Sequence, residues 1–279
     1  MAYYRALERE QNARIITDRA GLNSHVDEWT KWESESDADP EKSHPLGLVI
    51  TMESADPVLS PDQLEDWFRA DLRLIGPAHS GSGRYAGSTG SDLGLTDMGP
   101  ALLAEMECLG ILLDLTHLSD RAFWESLEHY HGRMLASHNN CRALVPHQRE
   151  FDDAQLSAII ERDGVIGATL GNWQLQFGWI VGAPNDHLHV TLDRAVDHID
   201  HICQLVGDTH YVAIGSDLDG DVGSDEFPSD LDTISDLANF PEVLSNRGYS
   251  DDAVASILHR NWLDFLRRAW PIHSSGSVK

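Results

Sequence analysis

Four short apolar runs in this chain each end in a residue that can bind a metal. GLVITME closes on Glu53, GILLDLTH on His117, GRMLASH on His138 and YVAIGSD on Asp217. Apolar runs of about five residues, without polar alternation, read as parallel strands buried on both faces. Segments with helical patterning lie between them. That alternation predicts an α/β fold, a (β/α)8 TIM-type barrel of the metal-dependent hydrolase kind, with its site at the C-terminal ends of the strands. Two neutral imidazoles with carboxylates suit zinc, and one carboxylate can bridge two ions.

Strands are expected at 13–16, 47–52, 72–76, 111–116, 133–137, 165–170 and 211–215. Helices are expected at 2–12, 20–33, 61–69, 97–109, 120–130, 152–163, 191–206 and 251–268. Pro61 suits a first helical turn, and Thr96 reads as an N-cap. A closed barrel needs eight strands. The count is one short and the chain opens on a helix, so the expectation is a barrel lacking its first strand. Such a gap would leave its neighbours with unpaired edges. One domain is expected over 1–279, with a helical N-terminal segment at 1–45 and a flexible tail at 269–279. The Gly/Ser-rich loop GSGRYAGSTGSDLG at 81–94 is long enough to suggest function.

The formal charge of −26 argues against binding a phosphate backbone. No run approaches the roughly 18 apolar residues of a membrane span. Three separated cysteines, Cys108, Cys141 and Cys203, offer neither paired metal spacing nor a disulfide framework. They favour a reducing compartment, so a cytoplasmic location is expected.

Several motifs occur together in a recognisable order: MESADP, IGPAH, GLTDMGPALLAEM, DLTHLSD, ASHNNCRALVPHQR, GSDLDG and RGYSDDAVASILHRNWLDFL. Over residues 47–268 the chain resembles the membrane (renal) dipeptidase family, metallopeptidase family M19 of the amidohydrolase superfamily. The resemblance implies a site built on two zinc ions. In it, Glu53 bridges the ions, and His117 and His138 hold the second. Asp217 contacts the first zinc and moves the proton of the attacking water. His79 steadies the tetrahedral intermediate, and Arg149 holds the substrate carboxylate. An Arg fork suits that last role, since it pairs a carboxylate bidentately. Asp219 is the alternative to Asp217.

One element departs from the family. Its members begin with a strand ending in His-x-Asp, and both residues bind the first zinc. Here His25-Val26-Asp27 spells the motif, but no apolar strand precedes it, so it reads as a coincidence on a helix surface. The second zinc site is then complete, while the first keeps only Glu53 and Asp217. That leaves a truncated or misassigned start, or a one-metal or inactive variant.

The other histidines read as bland. His198 and His201 are expected on the solvated face of a helix, and His129, His131, His187, His189 and His210 in or near loops. Trp173, Phe177 and Trp179 read as core or loop packing, with a substrate-side wall as the lesser alternative. The expected activity is zinc-dependent hydrolysis of short dipeptides, with a D-residue accepted at the C-terminal position. Alternatives are another amidohydrolase, such as a deacylase, or a binding protein without turnover. The expected partner is a small peptide, and a homodimer is compatible with the sequence.

Overall fold

The computed structural model describes residues 1–35, 44–182, 188–218, 220 and 223–270. Helix α1 (Ala2–Arg9) leads into strand β1 (Ala13–Ile15), and helix α2 is Arg19–Glu35. The expected strand at 47–52 is broken at Val49 into β2 (Leu46–Leu48) and β3 (Ile50–Glu53). Helix α3 (Leu64–Arg69) precedes β4 (Leu72–Gly76), and α4 (Gly99–Leu109) precedes β5 (Leu112–Asp114). Helix α5 (Asp120–His129) and β6 (Met134–Leu135) follow, then α6 (Asp153–Ile160) and β7 (Ile166–Ala168). A short helix α7 (Asn172–Leu175) lies before α8 (Leu192–Val206) and β8 (Val212–Ile214). Helices α9 (Phe240–Asn246), α10 (Asp251–Ala255) and α11 (Asn261–Ala269) complete the described chain, with a π turn joining the last two.

Local chemistry sets the helix starts. Ser119 Oγ accepts from Ala122 N at 3.0 Å and opens α5. Asp152 and Gln155 form a reciprocal capping box on α6. Thr96 does not cap α4, whose N-cap is Met98; its hydroxyl instead donates to Arg84 O at 2.7 Å.

All strand pairs are parallel, and neighbours in space are neighbours in sequence. β1 pairs with β2, β3 through β6 form one sheet, a bridge from Ala136 to Ile166 links β6 to β7, and β7 pairs with β8. This is the α/β arrangement of a (β/α) barrel. One set of strand residues, including Ile75, Leu113, Met134, Ile166 and Val212, packs with helix residues Met106, Phe123, Ile159 and Ile202. The opposite set, Leu74, Leu112, Leu135 and Ala213, packs around Phe265 of α11.

Phe265 explains how the array ends. The final helix packs on the strand face opposite α4, α5, α6 and α8, and contacts both β8 and α2. Its neighbour Trp270 packs with Ile16 and Leu22. The two outermost strands each contact a helix, β1 with α1 and β8 with α11. Trp270, inside the segment expected as a tail, is buried, and residues 271–279 lie outside the described residues. Among the described residues no helix is long and apolar enough to cross a membrane.

Candidate metal centre

Strands β3, β5, β6 and β8 deliver Glu53, His117, His138 and Asp217 to one point. His117 Nε2 and His138 Nε2 lie 3.0 Å apart. Glu53 Oε1 is 3.0 Å from the first and 3.2 Å from the second. Asp217 Oδ2 lies 4.0 Å from His138 Nε2. Donor atoms about 2.0–2.2 Å from a tetrahedral zinc stand about 3.4 Å apart, so these edges fit a shared ion. Two imidazole nitrogens and one carboxylate oxygen are also a zinc donor set. Among the described residues, Glu53, His117 and His138 are the group whose donor atoms converge in this way.

The backbone is bent to achieve this. His117 has φ 69° and Asp217 φ 58°, left-handed conformations that non-glycine residues rarely adopt. Such residues cluster at functional sites, at about 1–3 kcal/mol each. Surrounding contacts hold His117 in place. Its carbonyl accepts from Thr89 N at 2.8 Å, and Ser119 N donates to Gly87 O at 3.1 Å. Gln148 accepts from Gly90 N and donates to Ser91 O. The Gly/Ser-rich loop thus braces the turn that carries His117.

His79 is half exposed at the rim. Its Nε2 is 3.9 Å from Glu53 Oε2, and its ring meets the His117 ring edge-on at 4.5 Å. Arg149 is not on the surface. It is 3 % exposed, and donates to Asn139 Oδ1 at 2.7 Å and to His138 O at 2.8 Å. Among the described residues no carboxylate pairs with it, and its Nε is buried without a partner. A cavity of about 380 Å³ opens over the cluster, lined by Glu53, His79, His117, Arg149 and Asp217, with Trp173, Gln174 and Phe227 along its wall.

Electrostatics follow from these contacts. Hydrogen bonds from His117 and His138 hold the Glu53 carboxyl far below the usual carboxylate range. Burial lowers His117 to about 4, against the opposing pull of Glu53, which keeps the ring neutral and able to ligate. Burial raises Asp217, with His138 opposing and Glu53 adding to the rise. Burial also lowers the Arg149 guanidinium.

All six residues singled out in the sequence meet here. His25 and Asp27 do not join them. They lie on α2, where Asp27 is exposed on the helix surface as expected but His25 is buried beside Trp29 and His44. Asp219 and His187 lie outside the described residues. His198 is buried rather than solvated: Nδ1 accepts from Cys141 N at 3.0 Å and Nε2 meets Leu175 O at 3.3 Å. Trp173 lines the cavity, whereas Trp179 is buried and Phe177 exposed. The sequence reading passed over Asp114 and Ser137, which support the cluster from below. The signal for Asp114 was a lone carboxylate inside the apolar run GILLDLTH.

A parallel (β/α) array with a His–His–carboxylate cluster at its strand C-terminal ends defines a metal-dependent hydrolase. The chain belongs to the membrane dipeptidase family, peptidase family M19, whose model matches residues 21–274. An uncharacterized protein in the pqqA 5' region of Klebsiella pneumoniae is 31 % identical over 215 residues, covering 74 % of this chain and 76 % of that one. Dipeptidase tcpJ of Claviceps purpurea (strain 20.1) is 27 % identical over 223 residues, covering 77 % of this chain but only 49 % of the relative. A metallo peptidase from Rhodobacter sphaeroides, solved with a phosphinate mimic of the dipeptide L-Ala-D-Ala, superimposes with a TM-score of 0.79 at 24 % identity. That match covers 96 % of this chain and 73 % of the other.

Proposed function

We propose that this chain is a zinc-dependent dipeptidase that hydrolyses short peptides with a free C-terminal carboxylate. The observation that carries the reading is the convergence of His117, His138 and Glu53 within 3.0–3.2 Å of one another. These three residues would hold the ion. A bound zinc supplies Lewis acidity and brings the pKa of water to roughly 7.

The chain's own groups would do the rest. Arg149 offers the substrate carboxylate, the partner its fork best satisfies, a buried guanidinium that pairs with no carboxylate among the described residues. That contact orients the scissile carbonyl over Glu53. Asp217, raised by burial, accepts the proton of the attacking water and passes it to the departing amine. His79, at the rim, donates to the oxygen that becomes negative at the tetrahedral stage. Trp173 and Phe227 form an apolar wall that excludes water from one side.

The Rhodobacter sphaeroides relative's L-Ala-D-Ala mimic supports a D-residue at the C-terminal position as an accepted substrate. The described cluster accounts for one ion, and a second ion is part of the proposal only through Glu53 and Asp217.

The test compares hydrolysis of L-Ala-D-Ala and L-Ala-L-Ala with their C-terminal amides, before and after chelation and zinc return. The expected result is hydrolysis of free dipeptides, lost on chelation and restored by zinc, with the amides poor. Equal turnover of amides would favour a deacylase. No turnover by a folded, zinc-loaded chain would favour a binding protein.

A further inference from the structure

We propose that Asp114 is a positioning residue that sets both imidazoles of the cluster through one carboxylate oxygen; this rests on the metal-centre reading above. Asp114 is the last residue of β5 and is 8 % exposed. Its Oδ1 accepts from Thr116 N at 3.1 Å and from Ser137 N at 3.0 Å. Those two residues immediately precede His117 and His138.

The carboxylate takes over where the sheet stops. β5 and β6 are in register at Leu113 with Met134 and at Asp114 with Leu135, and Leu115 N still donates to Leu135 O at 2.9 Å. Beyond that point the two chains turn toward the site, and Thr116 N and Ser137 N find Asp114 in place of a backbone partner. A buried N–H left without an acceptor is costly, so the two turns stay fixed relative to each other while the carboxylate is there.

The same network sets the tautomer of His138. Ser137 Oγ lies 2.8 Å from His138 Nδ1 and 3.4 Å from Thr116 Oγ1. For Nε2 to present its lone pair to an ion, Nδ1 must carry the proton and donate to Ser137 Oγ, which then donates to Thr116 Oγ1. Thr116 and Ser137 are the two residues whose N–H groups Asp114 holds. The carboxylate therefore fixes the spacing of His117 and His138 through their backbones and the orientation of one ring through Ser137.

The test is zinc affinity of the full chain by competition with a chromophoric chelator, together with the visible spectrum of the cobalt-loaded protein. Asp114→Ala is expected to weaken zinc binding about 10- to 100-fold, the usual loss on removing an outer partner of a metal ligand. Its cobalt bands should change in position or intensity, and circular dichroism should stay native. Asp114→Asn keeps an acceptor oxygen and should retain most of the affinity. Should Asp114→Ala not fold, Asp114→Ser replaces it, since its shorter side chain does not place an oxygen where Asp114 Oδ1 accepts from both N–H groups, and it should still weaken binding. A folded Asp114→Ala or Asp114→Ser with wild-type affinity and spectrum overturns the inference while leaving the metal centre standing. A wild-type chain that binds neither ion overturns both.

Discussion

The Ser137 carbonyl oxygen occupies the space that a side chain on Gly215 would need. A Cβ at Gly215 would also lie 2.9 Å from Gly167 Cα, so three strand ends meet here with no room for a methyl group. Ser137 precedes His138 and Gly215 stands two residues before Asp217. The close approach therefore fixes the distance between the histidine and the aspartate.

Gly215→Ala should push the end of β8 away from β6. Overpacking of this kind costs about 1–3 kcal/mol. The 4.0 Å separation of His138 Nε2 and Asp217 Oδ2 should widen, so kcat should fall more than KM changes. Thermal unfolding and steady-state kinetics check this, and a variant with native stability and kcat would show that the strands are not packed this tightly.

Arg149→Lys replaces a bidentate fork with a point charge. KM for a free dipeptide should rise about 10- to 100-fold, the worth of a hydrogen bond to a charged group. The C-terminal amide, which lacks the carboxylate, should be nearly insensitive. Equal losses for both substrates would remove Arg149 from carboxylate recognition.

Glu150 gives a pH signature. It is fully buried and accepts from Asn140 N at 2.8 Å. Burial raises its carboxyl from 4.5 to about 7, with Arg149 opposing. The folded chain thus keeps a proton that the unfolded chain releases above about 4.5. The stability this contributes is full below that pH and is lost as pH rises to about 7. His198, lowered to about 4 by burial, acts in the opposite sense over much of the same range but is common to both proteins. The Tm of Glu150→Gln relative to wild type should therefore climb between pH 4.5 and 7. Parallel curves would contradict it.

Phe265→Ala should cost about 3–5 kcal/mol, the usual loss for a buried aromatic. Phe265 is fully buried against Leu74, Leu112, Leu135 and Ala213, and its helix packs on the strand face opposite α4, α5, α6 and α8. Urea unfolding measures the loss, and a change under 1 kcal/mol would show that the packing of α11 on the strands does not hold the fold together.

The strands and the cluster were legible because parallel strands buried on both faces leave unbroken apolar runs, and a His or Glu closing such a run stands out. Arg149 and Glu150 were harder, because a buried Arg beside a Glu spells the same dipeptide as a surface ion pair. His198 looked like a surface residue because helical spacing says nothing about whether both ring nitrogens find partners, as these do with Cys141 N and Leu175 O. Helices α7 and α9 escaped notice because four and seven residues carry too little periodicity. The packing of α11 on the strands depends on contacts between Phe265 and strands far away in sequence, which no local pattern records.

The most direct test is zinc content per folded chain by mass spectrometry, after loading and dialysis, for wild type and His138→Ala. The account predicts at least one zinc on the wild type, lost from the folded variant together with dipeptide hydrolysis. A folded wild type without zinc, or a His138→Ala chain that retains its zinc, would contradict it.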